Sequence, residues 1–199
     1  MRSARAGRSR STSSFCWRGS DMSREPDLTG INHWQRAIDL ATRRHKGQLR
    51  DNGVTPYVSH PMRVAMTLVV IFGIEDERIL AAGAMHDLIE DTTVDHDEIA
   101  EMFDDEIASW VSAVSKDMRL PHDAREEAYD QALRAAPWQA KLIKLADVYD
   151  NLVDSIGSEK LESASRKADR MLMIASVDEE LRGPASTLDE LRLSIQICT

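Results

Sequence analysis

Three short segments place polar residues where a helical pattern calls for core. They are Tyr57-Val58-Ser59-His60-Pro61, Ala84-Met85-His86-Asp87-Leu88-Ile89-Glu90-Asp91-Thr92 and Lys144-Leu145-Ala146-Asp147-Val148-Tyr149-Asp150-Asn151-Leu152. His86 and Asp87 are adjacent, flanked by Ala81-Ala82-Gly83-Ala84-Met85 and by Leu88-Ile89. A carboxylate in such company is costly to bury unless a cation or hydrogen-bond donors compensate it. Asp147, between Leu145-Ala146 and Val148, meets the same difficulty. One divalent metal shared by His60, His86, Asp87 and Asp147 would resolve both. Imidazole and carboxylate donors of this kind suit Mn, Fe, Zn or Mg, and ligand type alone does not choose among them.

Two further acids follow at helical spacing. Glu90 stands four residues after His86, and Asp91 four after Asp87, so each pair shares a helix face. Neither is needed to hold the metal. A divalent metal lowers the pKa of water and polarises a phosphoryl oxygen. A neighbouring carboxylate can then position that water or move its proton. Asn151, one turn after Asp147, faces the same way and is a candidate hydrogen-bonding group.

A lone His, an adjacent His-Asp and a distant Asp on helices resembles the signature of the HD phosphohydrolase superfamily. The finer resemblance is to the hydrolase domain of the RelA/SpoT-homologue family, including stand-alone small alarmone hydrolases. It rests on Gln48-Leu49-Arg50, Gly53-Val54-Thr55-Pro56-Tyr57-Val58-Ser59-His60-Pro61, His86 to Thr92, and Leu145-Ala146-Asp147 with Asn151-Leu152, and spans about residues 33–176. The resemblance implies Mn-dependent removal of the 3′-pyrophosphate of guanosine tetra- or pentaphosphate. It puts metal ligands at His60, His86, Asp87 and Asp147, the catalytic pair at Glu90 and Asp91, a guanine-packing arginine at Arg50 and a ribose/phosphate-side amide at Asn151. No synthetase or regulatory segment follows, so the single-domain form is the expectation.

Two departures remove positive charge where a polyphosphate would lie: Asp51 follows Arg50, and Val153 stands two residues after Asn151. They keep open a different phosphorylated nucleotide or cofactor as substrate. A metal- or nucleotide-binding module without turnover is the remaining alternative. Lys116, Arg119, Lys141 and Lys144 are candidate replacement cations.

The elements that must position these groups read as helices almost throughout. Asn32 is a candidate N-cap with Gln35 at the capping-box spacing, and the first helix should stop near Gly47. Residues 48–59, with Asn-Gly and Thr-Pro, form a loop. Pro61 suits the first turn of a helix running to about Phe72, and Gly73 ends it. One helix is expected over Glu75 to Glu90, then others over 95–102, Asp104 to Ser115, 122–135, a long one from Pro137 and one near 159–181. Gly183-Pro184 reads as a breaker before a last helix over 187–196. Period-two runs of β-branched residues are absent, so the expected fold is all-α: a single-domain HD-type helical bundle of about eight to ten helices.

Residues 1–30 read as a disordered Arg/Ser-rich tail and 31–199 as the phosphohydrolase domain. The tail carries too little apolar surface to offset its ordering entropy. An over-long start with Met22 as initiator is the plainer expectation, an organellar transit peptide the alternative. Net charge is −9; residues 1–21 carry +4, which leaves −13 on the remainder. An acidic body disfavours nucleic acid as a partner, while a local metal still admits an anionic nucleotide. No apolar run approaches the ~20 residues that span a bilayer. Cys16 and Cys198 read as free thiols in a reducing, cytoplasmic setting. A homo-oligomer is left open. His33, His45, His96 and His122 read as surface or packing residues, with an approach of His45 to the pocket as the lesser alternative. Trp34, Trp110 and Trp138 read as core.

Overall fold

The structure is a computed structural model and describes residues 32–198. The expectations for residues 1–30, Cys16 and the Cys198 side chain lie outside the described residues. Within them the chain is all-α: α1 (His33–Arg44), α2 (Ser59–Met66), a π turn (Thr67–Ile71), α3 (Glu77–Met85), α4 (Leu88–Asp91), α5 (His96–Met102), α6 (Asp105–Val114), α7 (His122–Ala135), α8 (Trp138–Asp154), α9 (Leu161–Ala175), a 3₁₀ turn (Glu179–Leu181) and α10 (Arg182–Cys198).

α8 is the axis of the bundle. Ala140, Leu142, Ile143, Leu145, Ala146, Val148 and Leu152 are buried around nearly its whole circumference, as expected of a helix enclosed by others. α2, α3, α6, α9 and α10 pack against it, and α1 lies on α3. Because α8 is enclosed, its Lys141, Asp147 and Asp150 are carried into the interior. Lys144, Asp147, Asn151 and Asp154 recur at three- and four-residue spacing and so share one face.

Several local expectations are corrected. Asn32 precedes α1, but its side chain makes no cap hydrogen bond. The single helix expected over 61–72 is α-helical only to Met66. It then widens to a π turn, with the Phe72 N–H donating to the Thr67 carbonyl at 3.0 Å. The helix expected over Glu75 to Glu90 breaks at His86-Asp87, where Asp87 has φ −97° and ψ −3°. That is the sparsely allowed bridge region, and the break separates α3 from α4 at the paired residues. Gly183-Pro184 does not interrupt a helix. Both lie in the first turn of α10, where proline lacks no bond the helix would have made. Trp110 is buried, Trp138 packs against the core, and Trp34 is about one-third exposed. Asp95 and Asp104 cap α5 and α6 by accepting from the Glu98 and Ile107 N–H groups.

Gly83 of α3 packs directly against Leu68 of the π turn. A Cβ there would lie 2.6 Å from Leu68 Cδ1, and Leu68 is fully buried. Gly83→Ala should gain about 1 kcal/mol of helix propensity and lose roughly 1–3 kcal/mol to overpacking. The expected net loss is about 1 kcal/mol, or some 2–4 °C in melting temperature for a chain of this size. A thermal melt equal to or above wild type would show that Leu68 yields freely.

Candidate metal centre

Three elements converge on one buried point. His60 is in the first turn of α2, His86 and Asp87 are in the α3–α4 break, and Asp147 is at mid-α8. One ligand atom each from His60, His86 and Asp147 lies within 4.8 Å of the others. His60 Nε2 is 3.1 Å from Asp147 Oδ1 and 3.5 Å from Asp87 Oδ2. His86 Nε2 is 3.0 Å from Asp87 Oδ1 and 3.6 Å from Asp147 Oδ1. The four residues singled out in the sequence are therefore neighbours.

The histidine tautomers show what the cluster accommodates. His86 Nδ1 lies 2.9 Å from the Gly83 carbonyl, which can only accept, so Nδ1 carries the proton. Its Nε2 is buried without a hydrogen-bond partner although carboxylate oxygens stand close. An imidazole lone pair facing carboxylate oxygens is unfavourable unless a cation lies between them. The donor set thus fits a divalent metal, with two imidazole nitrogens and two carboxylates as its ligands. With no cation, burial lowers the His86 pKa, but the Asp87 and Asp147 charges outweigh it and push it up to about 10. Burial likewise works against the charge on Asp147, yet Lys144 and the two histidines hold it well below the ordinary carboxylate range. Lys144 Nζ sits 2.7 Å from Asp147 Oδ2.

Glu90 and Asp91 occupy different surroundings. Glu90 is half-buried at the end of α4, and its Oε2 accepts from the Lys116 N–H at 3.0 Å. Burial raises its pKa, opposed by that N–H and by Lys144. Asp91 is exposed, and its Oδ2 lies 2.8 Å from the Tyr57 hydroxyl, which also stands 2.7 Å from Asp87 Oδ2. One phenolic proton serves two carboxylates, one a candidate ligand and one a candidate catalytic acid.

Arg50 and Asn151 are brought together. Arg50 Nη2 reaches Asn151 Oδ1 at 3.2 Å and Asp154 Oδ2 at 2.7 Å, with its guanidinium 5.6 Å from the Tyr57 ring centre. The Asn151 amide donates to Asp147 Oδ1 at 2.5 Å. Asn151 thus bridges Arg50 to the cluster.

Beside Asp147 and Asn151 opens a cleft of about 110 Å³, also lined by Lys116, Lys144, Lys167, Arg170 and Tyr129. Of the four replacement cations, Lys116 and Lys144 face it, each over the Tyr129 ring at 5.3 and 5.5 Å. Lys141 is instead buried on Asp178 at 2.8 Å, and Arg119 turns to Asp117 in solvent. Asp51 is paired with Lys160, so its charge is offset locally, and Val153 is exposed.

Some groups at the site escaped the sequence reading. His45 is buried, with its ring centre 4.8 Å from that of Tyr57 and its Nδ1 2.7 Å from Gln48 Oε1, so it is a packing residue. Asp150 and Arg63 were not singled out. Asp150 is an acid among Val148, Tyr149 and Leu152, the same signal that marked Asp147. For Arg63 no sequence signal exists, because its partner lies on another helix.

A buried imidazole–carboxylate cluster at a helix break, backed by a central helix, is a set of groups that could hold a divalent metal. Residues 37–174 match the HD domain family, and the chain belongs to it and is a hydrolase. It is 31% identical over 162 residues to the guanosine-3′,5′-bis(diphosphate) 3′-pyrophosphohydrolase MESH1 of Drosophila melanogaster, covering 80% of this chain and 90% of that one. It is 40% identical over 120 residues to MESH1 of Homo sapiens, covering 59% and 66%. A solved structure described as a metazoan orthologue of SpoT that hydrolyses ppGpp superposes with a TM-score of 0.71 at 27% identity, over 81% of this chain and 94% of that one. Among the described residues no helix is long and apolar enough to cross a membrane.

Proposed function

We propose that this protein hydrolyses guanosine 3′,5′-bis(diphosphate) and its pentaphosphate analogue to GDP or GTP and pyrophosphate, with Mn²⁺ as the metal and residues 31–199 as the catalytic domain. The observation that carries this reading is that the ligand cluster and the cation-lined cleft share Asp147, with Glu90 beside them. The relatives named for this activity, one matched over 90% of its length, support it.

His60, His86, Asp87 and Asp147 would hold a divalent metal, which when bound would supply Lewis-acid activation of water and of the phosphoryl oxygens. Glu90 accepts the proton of the attacking water; burial raises its pKa, which makes it a stronger base than an exposed carboxylate. A bond forms from the water oxygen to the phosphorus on the ribose 3′ oxygen, and the bond from that phosphorus to the 3′ oxygen breaks. The proton taken by Glu90 passes to the departing 3′ oxygen, while Asp91, held by the Tyr57 hydroxyl, positions water and leaving group. Lys116, Lys144, Lys167 and Arg170 offset phosphate charge along the cleft. Arg50, set over Tyr57, faces the base side. Paired cysteines are not part of this scheme, and a reducing cytoplasmic setting suits it.

Purified protein with Mn²⁺ and guanosine 3′,5′-bis(diphosphate) should release pyrophosphate and GDP stoichiometrically. Silence on this substrate with clear turnover of another phosphorylated nucleotide in a parallel panel would transfer the reading to that nucleotide. Val153, where the family resemblance puts an arginine, is the observation that favours this second substrate class.

A further inference from the structure

His60 is anchored differently from His86. The Nδ1–H of His86 rests on a neutral backbone carbonyl, whereas His60 Nδ1 lies 2.7 Å from Asp150 Oδ2. Asp150 is 5% exposed, and none of the catalytic steps above uses it. Arg63 grips it from the side, Nε to Oδ1 at 2.7 Å and Nη2 to Oδ2 at 2.9 Å. Such a two-point grip fixes the plane of the carboxylate and keeps it ionised. An ionised carboxylate only accepts, so His60 carries its proton on Nδ1. Its Nε2 then presents a lone pair toward Asp147 Oδ1, 3.1 Å away.

We propose that Asp150, held by Arg63, is the positioning carboxylate of the candidate ligand His60: it orients the ring, selects the metal-binding tautomer and strengthens Nε2 as a donor. The inference rests on the metal-centre reading above. An outer carboxylate on a ligating imidazole has this effect in metal sites generally, and its loss lowers metal affinity. The spacing supports the assignment. His60 and Arg63 lie three residues apart on α2, and Asp147 and Asp150 three apart on α8, so two packed helices present ligand facing ligand and anchor facing anchor. Arg63 also approaches Asp154 Oδ1 at 3.3 Å, and Asp154 holds Arg50 at 2.7 Å, so the anchor is continuous with the Arg50 loop.

The test is a titration of the full metal-free chain with Mn²⁺, followed by electron paramagnetic resonance of the free ion, beside thermal melts of the same samples. Asp150→Ala should weaken Mn²⁺ binding by roughly 10–100-fold. Asp150→Asn, which keeps an acceptor for the Nδ1–H without the charge, should weaken it toward the lower end of that range and serves if the alanine variant does not fold. A dissociation constant for Asp150→Asn equal to wild type, whatever the change in melting temperature, would reduce Asp150 and Arg63 to an inter-helix ion pair and overturn the proposal. A wild-type chain that binds no Mn²⁺ is a separate result, overturning the metal-centre reading and this inference with it.

Discussion

Asp147→Ala should yield a folded protein that retains no tight divalent-metal binding and has lost hydrolysis by about 10³-fold or more. The size follows from what the metal contributes, several kcal/mol of transition-state stabilisation, with each 1.36 kcal/mol worth about tenfold in rate. Asp147 is the residue to remove because it touches everything: both imidazoles, Lys144, the Asn151 amide and the cleft. Its loss leaves Lys144 without its closest carboxylate, but that side chain retains 21% exposure and can reach water, so the fold should survive. Chelation should reproduce the loss in the wild-type chain and reverse when Mn²⁺ is returned; chelation should do nothing further to the variant. Wild-type turnover that persists through exhaustive chelation would refute the metal requirement outright.

Glu90→Gln should separate chemistry from metal binding. The amide keeps an oxygen for the Lys116 N–H, so the local structure is preserved. Turnover should fall by roughly 10²–10⁴-fold, the usual contribution of a positioned general base, while Mn²⁺ affinity stays close to wild type. The pH profile carries the sign. A base works when deprotonated, so wild-type turnover should rise as pH climbs through the Glu90 pKa. Burial places that limb above the ordinary carboxylate range. In the variant the limb should vanish and leave a low, flat rate. Equal turnover, or an unchanged acidic limb in Glu90→Gln, would assign the base role elsewhere, with Asp91 the next group to substitute.

The sequence on its own determined the secondary-structure class and the identity of the unusual residues, because both are local properties. Helical periodicity and the lack of period-two runs suffice for an all-α reading. An acid or imidazole set among alanines and leucines declares itself without coordinates, since burying it uncompensated is too costly to tolerate. Even so, breaks inside a periodic stretch were invisible. The pattern over Glu75 to Glu90 continues through His86-Asp87, yet the backbone turns there, between α3 and α4. Pro184 misled in the opposite direction, since a proline is tolerated in a first turn but reads as a breaker when the helix start is unknown.

Only the tertiary structure decided which residues share the site. His60 and Asp147 are 87 positions apart, and it is the docking of α2 on α8 that places them 3.1 Å from each other. Tertiary packing likewise separated Lys116 and Lys144, which face the cleft, from Arg119 and Lys141, which do not. It also supplied Asp150 and Arg63, whose pairing spans two helices. The physical reason is common to all three. Residue type and spacing set what a side chain can do and which face of its own helix it occupies, but partners across helices are chosen by how the apolar stripes pack.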